Sequence, residues 1–112
     1  MIDSSKLTTR EQVKPHEIAE LAAQGCTTLI NNRPDNEGPD QPSSHELQAE
    51  AQRHGITYCH IPVVPDQATE ADARAFAEAV RHSNGKVVAF CRTGMRAAAL
   101  QKMADEIERR ER

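Results

Sequence analysis

The chain has 112 residues, with 14 lysines and arginines against 17 aspartates and glutamates, and only three aromatic residues. This length holds one hydrophobic core, so we expect a single domain over residues 1–112. The mildly acidic balance without a basic run argues against a nucleic-acid partner, and no segment is long or apolar enough for a membrane span or a signal peptide.

Predicted strands and helices alternate along the chain. The apolar segments predict strands at Leu7–Val13, Thr27–Asn31, Ile56–Val63 and Lys86–Phe90. Helical spacing and capping patterns predict helices from Pro15 to Gly25, from Ser43 to about His54, and from about Met95 to Arg110. A further helix is predicted to begin at Thr69, to carry its apolar face as far as Val80, and to end before the turn at Asn84-Gly85. Strands separated by helices indicate an α/β fold in which a parallel sheet carries helices on both faces.

A polar, proline-rich loop covers residues 32–42, after the second predicted strand. Loops of this length in compact domains are often functional. Ligands of parallel sheets bind at the carboxyl ends of the strands, and both this loop and Cys91 follow such ends. We therefore expect the functional site at that edge of the sheet.

The segment from Phe90 to Arg96 predicts an anion-binding loop with a nucleophile. Cys91 leaves a strand, a glycine-containing loop follows, and Arg96 opens a helix. Backbone N–H groups and the helix dipole then face the sulfur and favour a thiolate, with a pKa of about 3.5–7.5. Arg96 adds a fixed cation that binds an oxyanion through two parallel hydrogen bonds. We predict Cys91 and Arg96 as catalytic residues, and the loop positions between them are Arg92, Thr93, Gly94 and Met95.

The other two cysteines lack this context. Cys26 lies at the start of one predicted apolar strand, and Cys59 lies inside another. These positions predict packing in the core, and a role as a resolving thiol is the alternative. Three widely spaced cysteines fit reduced thiols in a cytoplasmic protein better than a disulfide framework. The histidines are scattered and no Cys-x-x-Cys is present, so we expect no metal site.

The chain resembles the phosphatase-like domain of the β-lactamase-hydrolase-like proteins, a family also described as sulfur transferases. The similarity runs from Leu7 to Ile107, and its most specific segments are 30–35, 60–63 and 91–96. The resemblance implies a protein-tyrosine-phosphatase-like α/β fold with a rhodanese-like active loop. Related domains also occur fused to metallohydrolases, so it further implies a persulfide dioxygenase-like partner and a role in sulfide detoxification.

The length of the loop separates two reactions. Tyrosine phosphatases have five residues between cysteine and arginine, whereas four separate Cys91 from Arg96, and the next position is Ala97. A shorter loop offers fewer N–H donors to a phosphate but still serves a persulfide. Phosphatase chemistry on tyrosine expels a phenoxide of pKa about 10 and calls for a general acid, for which Asp66 is the candidate. A solvated turn is the alternative interpretation of Asp66.

We expect Cys91 to take sulfur from thiosulfate or a glutathione persulfide and to pass it to a thiol or cyanide, without a metal or organic cofactor. Arg33 and the adjacent Asn32 are candidates for binding the anionic donor, as is Arg92, while His60 fits a structural role at a strand end. A phosphatase with Asp66 as its acid is the alternative function. A non-catalytic module that senses sulfur species or docks a partner is the third.

Overall fold

The computed structural model describes residues 3–111 and forms a four-stranded parallel sheet. In chain order its strands are β1 (Leu7–Arg10), β2 (Cys26–Asn31), β3 (Thr57–His60) and β4 (Lys86–Phe90), and their order across the sheet is β1-β4-β2-β3. The helices are α1 (Ile18–Ala23), α2 (Ser44–Arg53), α3 (Glu70–His82) and α4 (Met95–Arg110), with short 3-10 turns at Ser4–Lys6 and Pro15–Glu17. The α/β architecture expected from the sequence is confirmed.

The helices cover both faces of the sheet because alternate strand residues point to opposite sides. On one face, Val87 and Ala89 of β4 pack in a buried cluster with apolar side chains of α3 and α4, among them Phe76 and Leu100. On the other, Val88 and Phe90 pack with side chains of α1 and α2, including Ile18, Leu21, Leu47 and Ala51. Strand β4 is therefore buried on both sides, as its unbroken apolar sequence predicts.

Two strands are shorter than predicted. β1 ends at Arg10 instead of Val13, although the Val13 side chain is buried in the core beside α1 and α2. β3 ends at His60 instead of Val63, because Pro62 supplies no N–H for the ladder. The chain still follows β2 beyond that point, since the N–H groups of Ile61 and Val63 donate to the carbonyls of Asn31 and Asn32 (2.9 and 3.0 Å).

Helix boundaries follow local capping chemistry. The Ser43 hydroxyl accepts from the N–H of Glu46 (3.0 Å) and begins α2, as the capping pattern predicts. Thr69 and Asp72 form a full capping box at the start of α3, each side chain accepting the other's backbone N–H.

No helix within residues 3–111 has the length and apolar character needed to cross a membrane.

The four strands end at the same level. Arg10 is paired with Phe90, Phe90 with Asn31, and Asn31 with His60, and each of these is the last residue of its strand. Consequently the loops 11–14, 32–42, 61–69 and 91–94 all leave the same edge of the sheet. This register brings residues that are far apart in the sequence into one site.

Candidate active site

Cys91 lies at the bottom of the loop between β4 and α4, with its side chain fully buried. Its N–H donates to the carbonyl of Arg10 (3.4 Å), and the N–H of Gln12 donates to the carbonyl of Arg92 (3.3 Å), so the end of β1 and the segment after it support the loop from one side. The N–H of Gly94 donates to Cys91 Sγ at 3.0 Å. The first two positions of the loop are therefore held by β1 and the segment after it, and the loop closes over the sulfur through Gly94.

Gly94 is required by the shape of this loop. Its φ is +97°, in the left-handed region, and it is the residue immediately before the first turn of α4. A Cβ at this position would lie 3.1 Å from the carbonyl carbon of Arg10. Only glycine combines the left-handed backbone with such a close approach of another main chain.

The environment of Cys91 favours the thiolate. Burial alone raises the pKa of the thiol, but hydrogen bonds from surrounding backbone N–H groups outweigh burial and hold the pKa below its ordinary value. These N–H groups belong to the loop and to the first turn of α4, at Thr93, Gly94, Arg96 and Ala97. The backbone N–H groups of the loop and of the first turn of α4 therefore surround the sulfur, and the binding of an anion there stays a prediction.

Arg96 is anchored from outside the loop. Its Nη1 donates to Glu37 Oε2 (2.8 Å) and to the carbonyl of Val63 (2.9 Å), and its Nη2 donates to Glu37 Oε1 (3.0 Å). The pKa of Arg96 is raised, chiefly by its hydrogen bond to Glu37, and the Cys91 sulfur acts in the same direction. Arg96 therefore connects the sulfur to two further loops of the same sheet edge.

A cavity of about 700 Å³, which we call the basic cavity, opens beside Arg33, Glu37 and Arg96. Its charged lining consists of four basic side chains and two acidic ones, namely Lys14, Arg33, Arg92, Arg96, Glu37 and Asp40. A second cavity of about 660 Å³, the apolar groove, shares Pro65, Arg92 and Arg96 with the first and continues over Met95, Ala99 and Met103. Arg92 is exposed and stands between the two cavities.

The two candidates for donor binding after β2 have different positions. The side chain of Arg33 is largely buried, yet it lines the basic cavity, where Nε donates to Glu37 Oε1 (2.9 Å) and Nη1 to Gln12 Oε1 (3.0 Å). Asn32 is fully buried and its Nδ2 donates to the carbonyl of Ile61 (2.9 Å). Asn32 therefore joins two loops, and only Arg33 faces the cavity.

Asp66 lies on the apolar groove together with Arg92, Thr93 and Arg96. It is exposed and has a φ of +65°, a left-handed backbone that aspartate tolerates better than most residues. The sequence candidate for a general acid is thus brought to the loop that holds Cys91. A turn residue would show the same backbone.

The remaining residues considered from the sequence, Cys26, Cys59 and His60, pack in the core or hold a loop. Cys26 is buried and Cys59 is half-buried, and burial raises the pKa of each thiol, opposite to Cys91. Each packs against one of the two core clusters. His60 Nε2 lies 2.9 Å from the carbonyl oxygen of Arg33 and so fixes the start of the long loop.

Sequence reasoning missed Glu37, the carboxylate that binds both Arg33 and Arg96. Three acidic residues, Asp35, Glu37 and Asp40, occur in the loop 32–42, and nothing in their local sequence separates them. Asp35 instead accepts from the N–H of Ser44 at the start of α2 (2.8 Å). Only the tertiary structure selects Glu37, because its partner Arg96 is 59 positions away.

Comparisons with known proteins agree with this architecture. A protein-family model described as the phosphatase-like domain of β-lactamase hydrolase-like protein matches residues 2–107. The β-lactamase hydrolase-like protein of Xylella fastidiosa is 36% identical over 107 residues, which are 96% of this chain and 25% of that protein. The chain therefore spans a quarter of the length of this curated relative.

Two solved structures share the fold. A candidate phosphatase from Neisseria meningitidis has 29% identity and a TM-score of 0.78, over 85% of this chain and 68% of its own. Tk-PTP in its active form has 20% identity and a TM-score of 0.57, over 93% of this chain and 78% of its own, which is a likeness of fold alone. With a matching family model over almost its whole length, this chain belongs to the family of phosphatase-like domains of β-lactamase-hydrolase-like proteins.

Proposed function

We propose that this domain is a sulfurtransferase in which Cys91 carries a persulfide. The observation that carries the proposal is the four-residue loop that encloses a buried cysteine of lowered pKa between backbone N–H groups and Arg96. Such a loop supplies a nucleophilic thiolate and donors for a compact anion, which is what transfer of one sulfur atom requires.

The reaction has two balanced steps. The Cys91 thiolate attacks the outer sulfur of thiosulfate, a sulfur–sulfur bond forms, and sulfite leaves with the electron pair of the bond that breaks. The acceptor, cyanide or a thiolate, then attacks the outer sulfur of the Cys91 persulfide, and the Cys91 thiolate leaves. No net oxidation occurs, and both leaving groups are anions that depart without a proton donor.

The lining of the basic cavity supports an anionic donor. Four basic side chains against two acidic ones attract thiosulfate or the carboxylates of a glutathione persulfide. We assign Arg33 and Arg92 to binding the part of the donor that does not react.

The proposed partner is a metallohydrolase that acts on the persulfide product. The curated relative is longer than this chain, and its additional length leaves room for such a domain.

A phosphatase is the second candidate, and one observation favours it. Asp66 lies on the groove beside Arg92 and Arg96, where a general acid could reach a phenoxide leaving group. The Neisseria meningitidis structure, which shares the fold, is described as that of a candidate phosphatase. The third candidate, a binding module without turnover, keeps the same anion loop but releases no product.

The test compares wild type, Cys91→Ser and Asp66→Asn in three assays. These are thiocyanate formation from thiosulfate and cyanide, persulfide transfer to a thiol, and hydrolysis of an aryl phosphate. A sulfurtransferase loses the first two activities in Cys91→Ser and keeps them in Asp66→Asn, because its leaving groups need no acid. Intact mass after thiosulfate treatment should show one added sulfur on wild type and none on Cys91→Ser.

Two results would decide against the proposal. Aryl phosphate hydrolysis that requires both Cys91 and Asp66, without a persulfide adduct, would establish the phosphatase. No turnover on any donor, together with unchanged partner binding by Cys91→Ser, would establish the non-catalytic module.

A further inference from the structure

The long loop after β2 delivers one carboxylate into the active site. Glu37 Oε1 accepts from Arg33 Nε (2.9 Å) and from Arg96 Nη2 (3.0 Å), and Glu37 Oε2 accepts from Arg96 Nη1 (2.8 Å). Hydrogen bonding from Arg96 holds the pKa of Glu37 below its ordinary value, burial opposes it, and Arg33 adds to the lowering. Glu37 is therefore ionised at neutral pH and joined to two arginines.

The hydrogens of Arg96 show which side of the guanidinium remains for an anion. A guanidinium has five N–H donors. Both hydrogens of Nη1 are used, by Glu37 and by the carbonyl of Val63, and one hydrogen of Nη2 is used by Glu37. Within residues 3–111, Nε–H and the second Nη2–H donate to no protein oxygen. These two hydrogens point in parallel from one edge, the arrangement that binds two oxygens of one anion.

We propose that Glu37 is a positioning residue that fixes the Nη1–Nη2 end of Arg96 and thereby presents the Nε–Nη2 edge to the oxyanion bound at Cys91. Arg33 completes the arrangement, since its Nε holds the same Glu37 oxygen that accepts from Arg96 Nη2. This inference rests on the anion-binding role of the Cys91 loop in the proposed function. It holds for sulfur transfer and for phosphoryl transfer alike, because both place oxygens of an anion beside Cys91.

The opposite role, a carboxylate that competes with the substrate for Arg96, makes the reverse prediction. Removing a competing negative charge would tighten anion binding and would lower the pKa of Cys91 further. Removing a positioning group frees Arg96 to turn away, which weakens anion binding and raises the pKa of Cys91. The sign of both changes therefore separates the two roles.

The experiment uses Glu37→Gln, Glu37→Asp and the control Glu50→Gln in the full chain. Glu50 on α2 has the same 23% side-chain exposure as Glu37 and also accepts from an arginine, Arg53 Nη1, at 2.6 Å. It lines neither cavity. Inorganic sulfate serves as the probe anion, and its binding is measured by protection of Cys91 against iodoacetamide.

We expect Glu37→Gln to weaken sulfate protection between about tenfold and about 100-fold. The midpoint of the pH profile of alkylation should move upward at the same time. Glu37→Asp keeps the charge but is one methylene shorter, so it should show a smaller loss in the same direction. Glu50→Gln should match wild type in both measurements, and urea unfolding of each variant checks that it is folded.

A double-mutant cycle with Arg96→Ala shows whether Glu37 acts through Arg96. In the Arg96→Ala background, Glu37→Gln should cause no further loss of sulfate protection. Protection that is unchanged or tighter in Glu37→Gln would overturn the inference, as would a full further loss in that background. A chain that turns over no donor but still loses sulfate protection in Glu37→Gln would refute the proposed function and leave the inference standing.

Discussion

Gly94 provides the sharpest test of how the loop activates Cys91. Alanine at this position would have to adopt a φ of +97°, which costs about 1–2 kcal/mol for a residue with a Cβ. Its Cβ would also lie 3.1 Å from the carbonyl carbon and 3.2 Å from the carbonyl oxygen of Arg10. Main-chain atoms inside a sheet cannot turn aside as a flexible side chain does, so crowding adds about 1–3 kcal/mol.

Gly55 is the matched control because it has the same kind of backbone and no crowding. Its φ is +72°, and a Cβ there would meet no atom within 4 Å. We therefore expect Gly55→Ala to lower the free energy of unfolding by the strain alone, about 1–2 kcal/mol. Gly94→Ala should lose about 2–5 kcal/mol, the sum of strain and crowding. Urea unfolding followed by circular dichroism measures both.

The two variants should also differ at Cys91. A shift of the loop lengthens the 3.0 Å hydrogen bond from the Gly94 N–H to Cys91 Sγ, so the pKa of Cys91 should rise in Gly94→Ala. A rise of one pKa unit lowers the thiolate fraction about tenfold at a pH below both values. Iodoacetamide alkylation across pH measures this, and Gly55→Ala should follow wild type. Equal stability losses and identical alkylation profiles would refute the role assigned to Gly94.

Three further predictions concern Arg96, Cys91 and Tyr58. Arg96→Lys keeps the charge but loses the planar fork, so kcat/KM for thiosulfate and cyanide should fall by about 100-fold or more; a loss below about threefold would contradict the bidentate role. The lowered pKa of Cys91 stabilises the folded chain above the pKa of an unfolded thiol, about 8.5, and this stabilisation is lost as pH falls through the folded pKa. The unfolding free energy of wild type relative to Cys91→Ser should therefore increase as pH rises from the folded pKa of Cys91 to about 8.5. A constant difference would mean that Cys91 has the same pKa in the folded and the unfolded chain. Tyr58→Phe removes the acceptor of Asn31 Nδ2 (2.9 Å), so unfolding free energy should fall by about 1–3 kcal/mol while alkylation of Cys91 stays unchanged; altered alkylation would show that Tyr58 acts on the site.

Local chemistry determined most of the secondary structure. The continuous apolar sequence of β4 and the residues of α4 gave boundaries that agree with the structure, because each element is bounded by turn residues. The predicted strands β1 and β3 extend beyond the C-terminal ends that the structure shows. The reason at β1 is that an apolar residue such as Val13 can be buried without pairing in the sheet. Burial and strand pairing are separate properties, and periodicity reports only the first.

The sequence alone also predicted this loop as a candidate nucleophile site, because the end of its strand, its cysteine, its glycine and its arginine lie within seven consecutive positions, from Phe90 to Arg96. The tertiary structure decided everything that approaches this loop from elsewhere: the support from Arg10, the carboxylate of Glu37 and the position of Asp66 on the groove. These contacts exist because four parallel strands end in register at one edge of the sheet. Register across a sheet depends on packing between distant segments, so no local pattern records it.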